Sequence, residues 1–170
     1  MQEHEQAITG EGQPAVRVER VGWRDLRAVA AIQKASFRPG LAYGFMALVF
    51  LRAMPGVAFL VARTADMPVA GCIIGDRYRG NLRIMNVAVA PAARRRGIGT
   101  ALLRAVEAAI PAGDVMLMAE QWNTGAQELY EREGYTRHGV ARDYYGKNRH
   151  GIRMTKKRAA SDTENSRIVV

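Results

Sequence analysis

Two hydrophobic rhythms divide this chain. Alternating or continuous runs rich in β-branched residues predict strands over 16–21, 57–63, 69–76, 82–89, 115–120, 135–144 and 151–156. Apolar residues three and four apart predict helices over 23–37, 43–52, 97–110 and 125–133. In the third of these, Ile98, Ala101, Leu102, Ala105, Val106, Ala109 and Ile110 make one buried face, with Thr100, Arg104 and Glu107 on the wet side. Pro55-Gly56, Asp66-Met67-Pro68 and Gly80-Asn81 read as turns. Thr124 with Gln127 forms a candidate capping box for the last helix, and Gly134 is placed to stop it. Three strands in hairpin succession, then strand–helix–strand–helix–strand, predict an α/β mixed sheet with helices on its faces. One domain over 15–158 is expected, with polar, unpatterned and disordered tails at 1–14 and 159–170.

Composition narrows the class without naming a function. A chain of 170 residues is long enough for a real core. The single cysteine, Cys72, excludes a disulfide scaffold and lies in an apolar run, so it reads as a buried structural thiol. That usage, and an acidic start (Met1-Gln2-Glu3-His4-Glu5) without a signal peptide's features, suit a cytoplasmic protein. The most membrane-like stretch, 40–61, is interrupted by Arg52, Pro55 and Gly56, so no membrane partner is expected. The net charge of +9 draws on Arg94, Arg95, Arg96 and on Lys156, Lys157, Arg158. Such a surface suits nucleic acid, acidic proteins or a polyphosphate ligand. Nucleic acid is not expected, because no aromatics interleave with the arginine run and no zinc-ligand or RNA-binding signature is present. The basic tail reads as a solvated end.

The arginine run has a more specific setting. The strand-like Val87-Ala88-Val89 leads through Ala90-Pro91-Ala92-Ala93 into Arg94-Arg95-Arg96-Gly97-Ile98-Gly99-Thr100, which opens the third helix. Free N–H groups and the positive end of the dipole make a helix N-terminus an anion site. Cations there are unfavourable unless an anion offsets them, so three adjacent arginines are a local conflict that a bound phosphate resolves; the alternative is a solvated cluster. The triphosphate-binding loop needs four residues between its glycines, and here only Ile98 separates them. The dinucleotide fingerprint needs a small residue where Leu102 stands and a tight turn in place of the long basic bridge.

The remaining pattern, basic-x-x-Gly-x-Gly after a strand and a proline, resembles the acyl-coenzyme-A loop of the GNAT superfamily of N-acetyltransferases. A second segment agrees: strand 115–119, then Glu120-Gln121-Trp122-Asn123, then a helix carrying Ala126 and Tyr130 and ending at Gly134-Tyr135. The resemblance spans about 16–156 and is strongest over 82–145. It implies six to seven strands, mostly antiparallel, with a central splayed parallel pair and about four helices on the two faces. It implies acetyl-CoA as co-substrate, no metal, an amine acceptor and a monomer or homodimer. The loop amides (Gly97, Ile98, Gly99, Thr100) and the cations Arg94, Arg95 and Arg96 would hold the pyrophosphate. The bulged strand at Val87, Ala88 and Val89 would polarise the thioester and pair with pantetheine. Asn123 would bond pantetheine or the strand end, although an ordinary cap fits it equally. Tyr130 would protonate the departing thiolate, and a core tyrosine is the other reading of its spacing.

Within the superfamily, Met85 to Val89, the Asn-to-Tyr helix and Arg142-Asp143-Tyr144-Tyr145 look like the bacterial ribosomal-protein alanine N-acetyltransferases. In that group a glutamate base stands where this chain has Met118. Glu120, two residues on and hence on the same strand face, is the substitute candidate, against a solvated strand-end carboxylate or a water relay. The loop Gly146-Lys147-Asn148-Arg149-His150-Gly151 is basic where the group is often acidic, which would favour an anionic group on the acceptor. The expected activity is acetyl transfer to a primary amine by direct attack in a ternary complex. The acceptor is expected to be a protein or peptide N-terminus, with a small-molecule amine or a non-catalytic acyl-CoA-binding regulator as alternatives.

Overall fold

The computed structural model describes residues 15–111 and 113–158; the tails expected at 1–14 and 159–170 lie outside them. The strands are β1 (Arg17–Arg20), β2 (Val57–Arg63), β3 (Gly71–Tyr78), β4 (Asn81–Val89), β5 (Val115–Glu120), β6 (Thr136–Ala141) and β7 (Gly151–Lys156). The helices are α1 (Leu26–Ser36), α2 (Phe45–Ala53), α3 (Ile98–Ala109) and α4 (Thr124–Arg132). All seven strands form one sheet in the order β1-β2-β3-β4-β5-β7-β6. Only β4 and β5 run parallel; the last strand inserts between β5 and β6.

Elements start and stop for local reasons. A short 3-10 turn at Trp23–Asp25 precedes α1, where Asp25 Oδ2 accepts from the Gly22 N–H at 2.8 Å. The strand expected over 135–144 ends at Ala141. Asp143 takes φ 54°, and the Tyr145 N–H donates to Arg149 O at 3.0 Å, turning the chain back toward β7.

Helices cover both faces because β3 alternates small and larger side chains. Gly71 and Gly75 leave room for Ile98, Leu102 and Val106 of α3. On the other face, Cys72 meets Gln33 of α1, whose Nε2 lies 3.5 Å from its sulfur. Burial pushes the Cys72 thiol up to about 11 against the opposing pull of that contact, so it is an inert core group. A Cβ on Gly71 would lie 2.8 Å from the Ala88 carbonyl oxygen, which is backbone and cannot step aside. Gly71→Ala is therefore expected to lower stability by about 2 kcal/mol through overpacking. Gly44→Ala, with nothing within 4 Å of a Cβ, is expected to stay within about 0.5 kcal/mol. Thermal denaturation of the two variants checks this, and equal losses would contradict the close approach of β3 to β4.

Candidate active site

The site begins where the sheet stops being continuous. β4 pairs with β5 only through Leu82↔Val115, Arg83↔Met116 and Ile84↔Leu117. Beyond that β5 follows β7, while β4 continues to Val89 alongside β3 alone. The register changes at the same point: Ile74 faces Asn86 but Gly75 faces Ile84, so Met85 is the extra residue of a bulge. The bulge thus lies two residues before the expected Val87–Val89 stretch, because register is decided by β3 and not by β4's own side chains. Downstream of it, Val89 O accepts from Ser36 Oγ at 3.3 Å and from Arg94 Nε at 3.4 Å, so it looks away from β3. Alternation gives Val87 the same outward backbone. The gap opens into a cleft of about 1380 Å³.

One wall is the start of α3. Gly97 is its N-cap, at φ 75°, and the first intrahelical bond runs from the Ala101 N–H to Gly97 O. The N–H groups of Ile98, Gly99 and Thr100 therefore have no helical acceptor, and all three residues line the cleft. Arg94 and Arg95 line it too. Arg96 does not: its guanidinium pairs with Asp66 at 2.7 and 2.9 Å, bracing the β2–β3 turn. Gly99 has a packing reason, since a Cβ there would lie 2.7 Å from Leu129 Cδ2 of α4.

The opposite wall is α4. Its N-cap is Asn123, whose Oδ1 accepts from the Ala126 N–H at 3.1 Å. This displaces the capping box expected of Thr124 and Gln127. Gln127 is buried and its Nε2 donates to Glu120 O and Gln121 O, tying α4 to the end of β5. Asn123→Ala is expected to cost about 1 kcal/mol and Asn123→Asp to restore it, as a cap requires. Denaturant midpoints read this directly, and full stability in the alanine variant would refute the cap. Tyr130 lines the cleft and is buried, with no hydrogen-bond partner for its hydroxyl among the described residues. Burial pushes that phenol up to about 12, so it is protonated at neutral pH.

The third side is the floor. Met116, Met118 and Glu120 are half-buried on the cleft face of β5, with Leu117 and Ala119 buried on the other. Glu120 Oε1 accepts from Arg149 Nε at 3.0 Å, leaving Oε2 without a partner among the described residues. Arg149, read in the sequence only as part of a basic loop, is thus consumed by a carboxylate. The Tyr145 hydroxyl donates to Met118 O at 2.8 Å and Tyr144 stacks edge-on against it. His150 Nδ1 accepts from the Asp143 N–H at 3.0 Å, a loop contact away from the cleft lining. Across the cleft stands Tyr43, held by a buried amide pair: Gln33 Nε2 donates to Asn86 Oδ1 at 2.6 Å, and the Tyr43 N–H donates to Gln33 Oε1 at 3.4 Å. Neither Gln33 nor Arg153, a further lining residue, was visible as a site residue in the sequence. Their strand and helix patterns say which face they occupy, not what comes to meet it.

A strand edge left open in a sheet, a helix N-terminus with free amides and a protonated phenol in one cleft define an acyl-transfer type of site. Residues 55–137 match the acetyltransferase (GNAT) domain family. An uncharacterized N-acetyltransferase of Methanocaldococcus jannaschii is 30% identical over 145 residues, covering 83% of this chain and 91% of that protein. The Ard1 structure from Thermoplasma volcanium superposes with a TM-score of 0.76 at 25% identity, covering 85% of this chain and 99% of that one. The ribosomal-protein-S18-alanine N-acetyltransferase of Escherichia coli gives 0.74 at 18% identity, covering 88% and 98%. The chain belongs to the GNAT superfamily of N-acetyltransferases.

Proposed function

We propose that this enzyme transfers the acetyl group of acetyl-CoA to the N-terminal amine of a protein or peptide, by direct attack in a ternary complex. The observation that carries the proposal is the union, in one cleft, of the free α3 amides, the outward β4 edge and Tyr130. A volume of about 1380 Å³ exceeds that of an ordinary small-ligand pocket, which suits a long donor and an acceptor together. No helix among the described residues is long and apolar enough to cross a membrane.

Acetyl-CoA, when bound, supplies the activated thioester. The amides of Ile98, Gly99 and Thr100, with Arg94 and Arg95, hold its pyrophosphate, while Arg96 acts only on the shape of the loop. The outward backbone of Val87 and Val89 pairs with the pantetheine arm and offers an N–H to the carbonyl. Tyr130 delivers its hydroxyl proton to the departing thiolate. Glu120, fixed by Arg149 through one oxygen, takes the amine proton on the other, directly or through water. Asn123 serves chiefly as the cap that aims α4, and so Tyr130, into the cleft.

Acetyl-CoA consumption against an N-terminal peptide panel and an amine-metabolite panel tests the proposal. Turnover of peptides supports it; turnover of small amines alone refutes the acceptor; CoA binding without transfer to any amine refutes the activity and favours a regulator.

A further inference from the structure

The floor of the cleft carries positive charge that its own carboxylates do not neutralise. The antiparallel register of β5 and β7 sets Arg153 directly beside Met118 and Thr155 beside Met116. Paired residues share a face of the sheet, so Arg153 stands on the cleft side, next to the point where β4 departs from β5. No carboxylate among the described residues forms an ion pair with it. Glu120, its diagonal neighbour across the pair, gives one oxygen to Arg149 at 3.0 Å and forms no ion pair with Arg153. Asp76 is bound by Arg83, whose Nε donates to Oδ1 at 3.0 Å. Asp143 lies in the β6–β7 loop, where it accepts from the Asn148 N–H at 2.7 Å and is outside the cleft lining. Among the described residues, Arg153 has no ion-pair partner, and it is exposed in the lining of the cleft.

We infer that Arg153 is a specificity-determining residue and that the preferred acceptor amine belongs to a molecule bearing a carboxylate, which Arg153 receives while the amine enters the β4–β5 gap. This rests on the proposed acetyl transfer. A guanidinium presents a planar fork that matches a carboxylate, and it gains most where the surrounding counter-charges are already engaged. The same charge repels an acceptor carrying lysine or arginine at the corresponding place, so selectivity comes from both signs. The carboxylate can come from an acidic side chain near a peptide N-terminus or from a free amino acid, and the two sources share this chemistry.

The test is kcat/KM for peptides differing only in Glu, Gln or Lys at each of the first three positions, with free glutamate and aspartate as a separate arm. The wild-type enzyme is expected to favour the carboxylate-bearing acceptor over its neutral partner by about tenfold, the scale of one partly screened charge pair. Arg153→Gln is expected to bring that ratio toward one, and Arg153→Glu to invert it in favour of lysine. Inversion is a gain that misfolding cannot produce. Turnover of free amino acids with the same Arg153 dependence places the carboxylate on a small molecule and supports the inference equally. Transfer that ignores acceptor charge, or variants that lower all acceptors alike, overturns the inference and leaves the acetyltransferase reading standing. Transfer to no acceptor at all, with CoA still bound, overturns both.

Discussion

Replacing Tyr130 with phenylalanine is expected to lower kcat about 100-fold while the KM for acetyl-CoA moves by less than about twofold. The loss corresponds to about 2.7 kcal/mol of transition-state stabilisation, within the range of general acid catalysis. Fold effects do not obscure this result. The ring is buried and is expected to stay in place in the variant, and the hydroxyl removed has no partner among the described residues to be left unsatisfied. The pH dependence gives a second reading. With the phenol held at about 12 by burial, its proton is present throughout the neutral and mildly alkaline range. The kcat profile should therefore rise as the acceptor amine loses its proton and show no fall below about pH 10 from this group. A steady-state profile of wild type and variant checks both points, and equal kcat at all pH values would remove Tyr130 from the chemistry.

The three adjacent arginines should separate. Arg94→Ala with Arg95→Ala is expected to raise the KM for acetyl-CoA by about 100-fold at low ionic strength, the loss of two charge-assisted contacts of about 1.5 kcal/mol each. The effect should shrink as salt screens the remaining field, because both side chains are exposed. Arg96→Ala is expected to change that KM by less than about threefold, since an exposed pair such as Arg96–Asp66 contributes little. Acetyl-CoA saturation curves at two salt concentrations decide it. Equal effects from all three positions would mean that the loop moves on binding.

This contrast shows where sequence reasoning stops. The hairpin strands, the α3 stripe and the glycines around Ile98 were legible because alternation, helical spacing and turn chemistry are local properties. The splay was legible only through resemblance. Its site on the strand was not, since the bulge at Met85 exists only in register with Ile74 and Gly75. Three arginines in a row look alike until Asp66, thirty positions away, claims one of them. Arg149 looked free until Glu120 met it, and Arg153 looked like one more strand residue until Met118 fixed its face. The cap was misplaced by one position because Asn123 and Thr124 are both competent, and only the turn after β5 chooses between them. What pairing across the sheet decides, a linear pattern does not carry.

The most direct measurement is a crystal structure with coenzyme A bound. The pyrophosphate is expected within hydrogen-bond distance of the Ile98, Gly99 and Thr100 amides. The pantetheine is expected along the Val87–Val89 edge, with the sulfur in the β4–β5 gap near the Tyr130 hydroxyl. Coenzyme A bound elsewhere, or lying in the cleft with its sulfur away from that gap, would contradict the account.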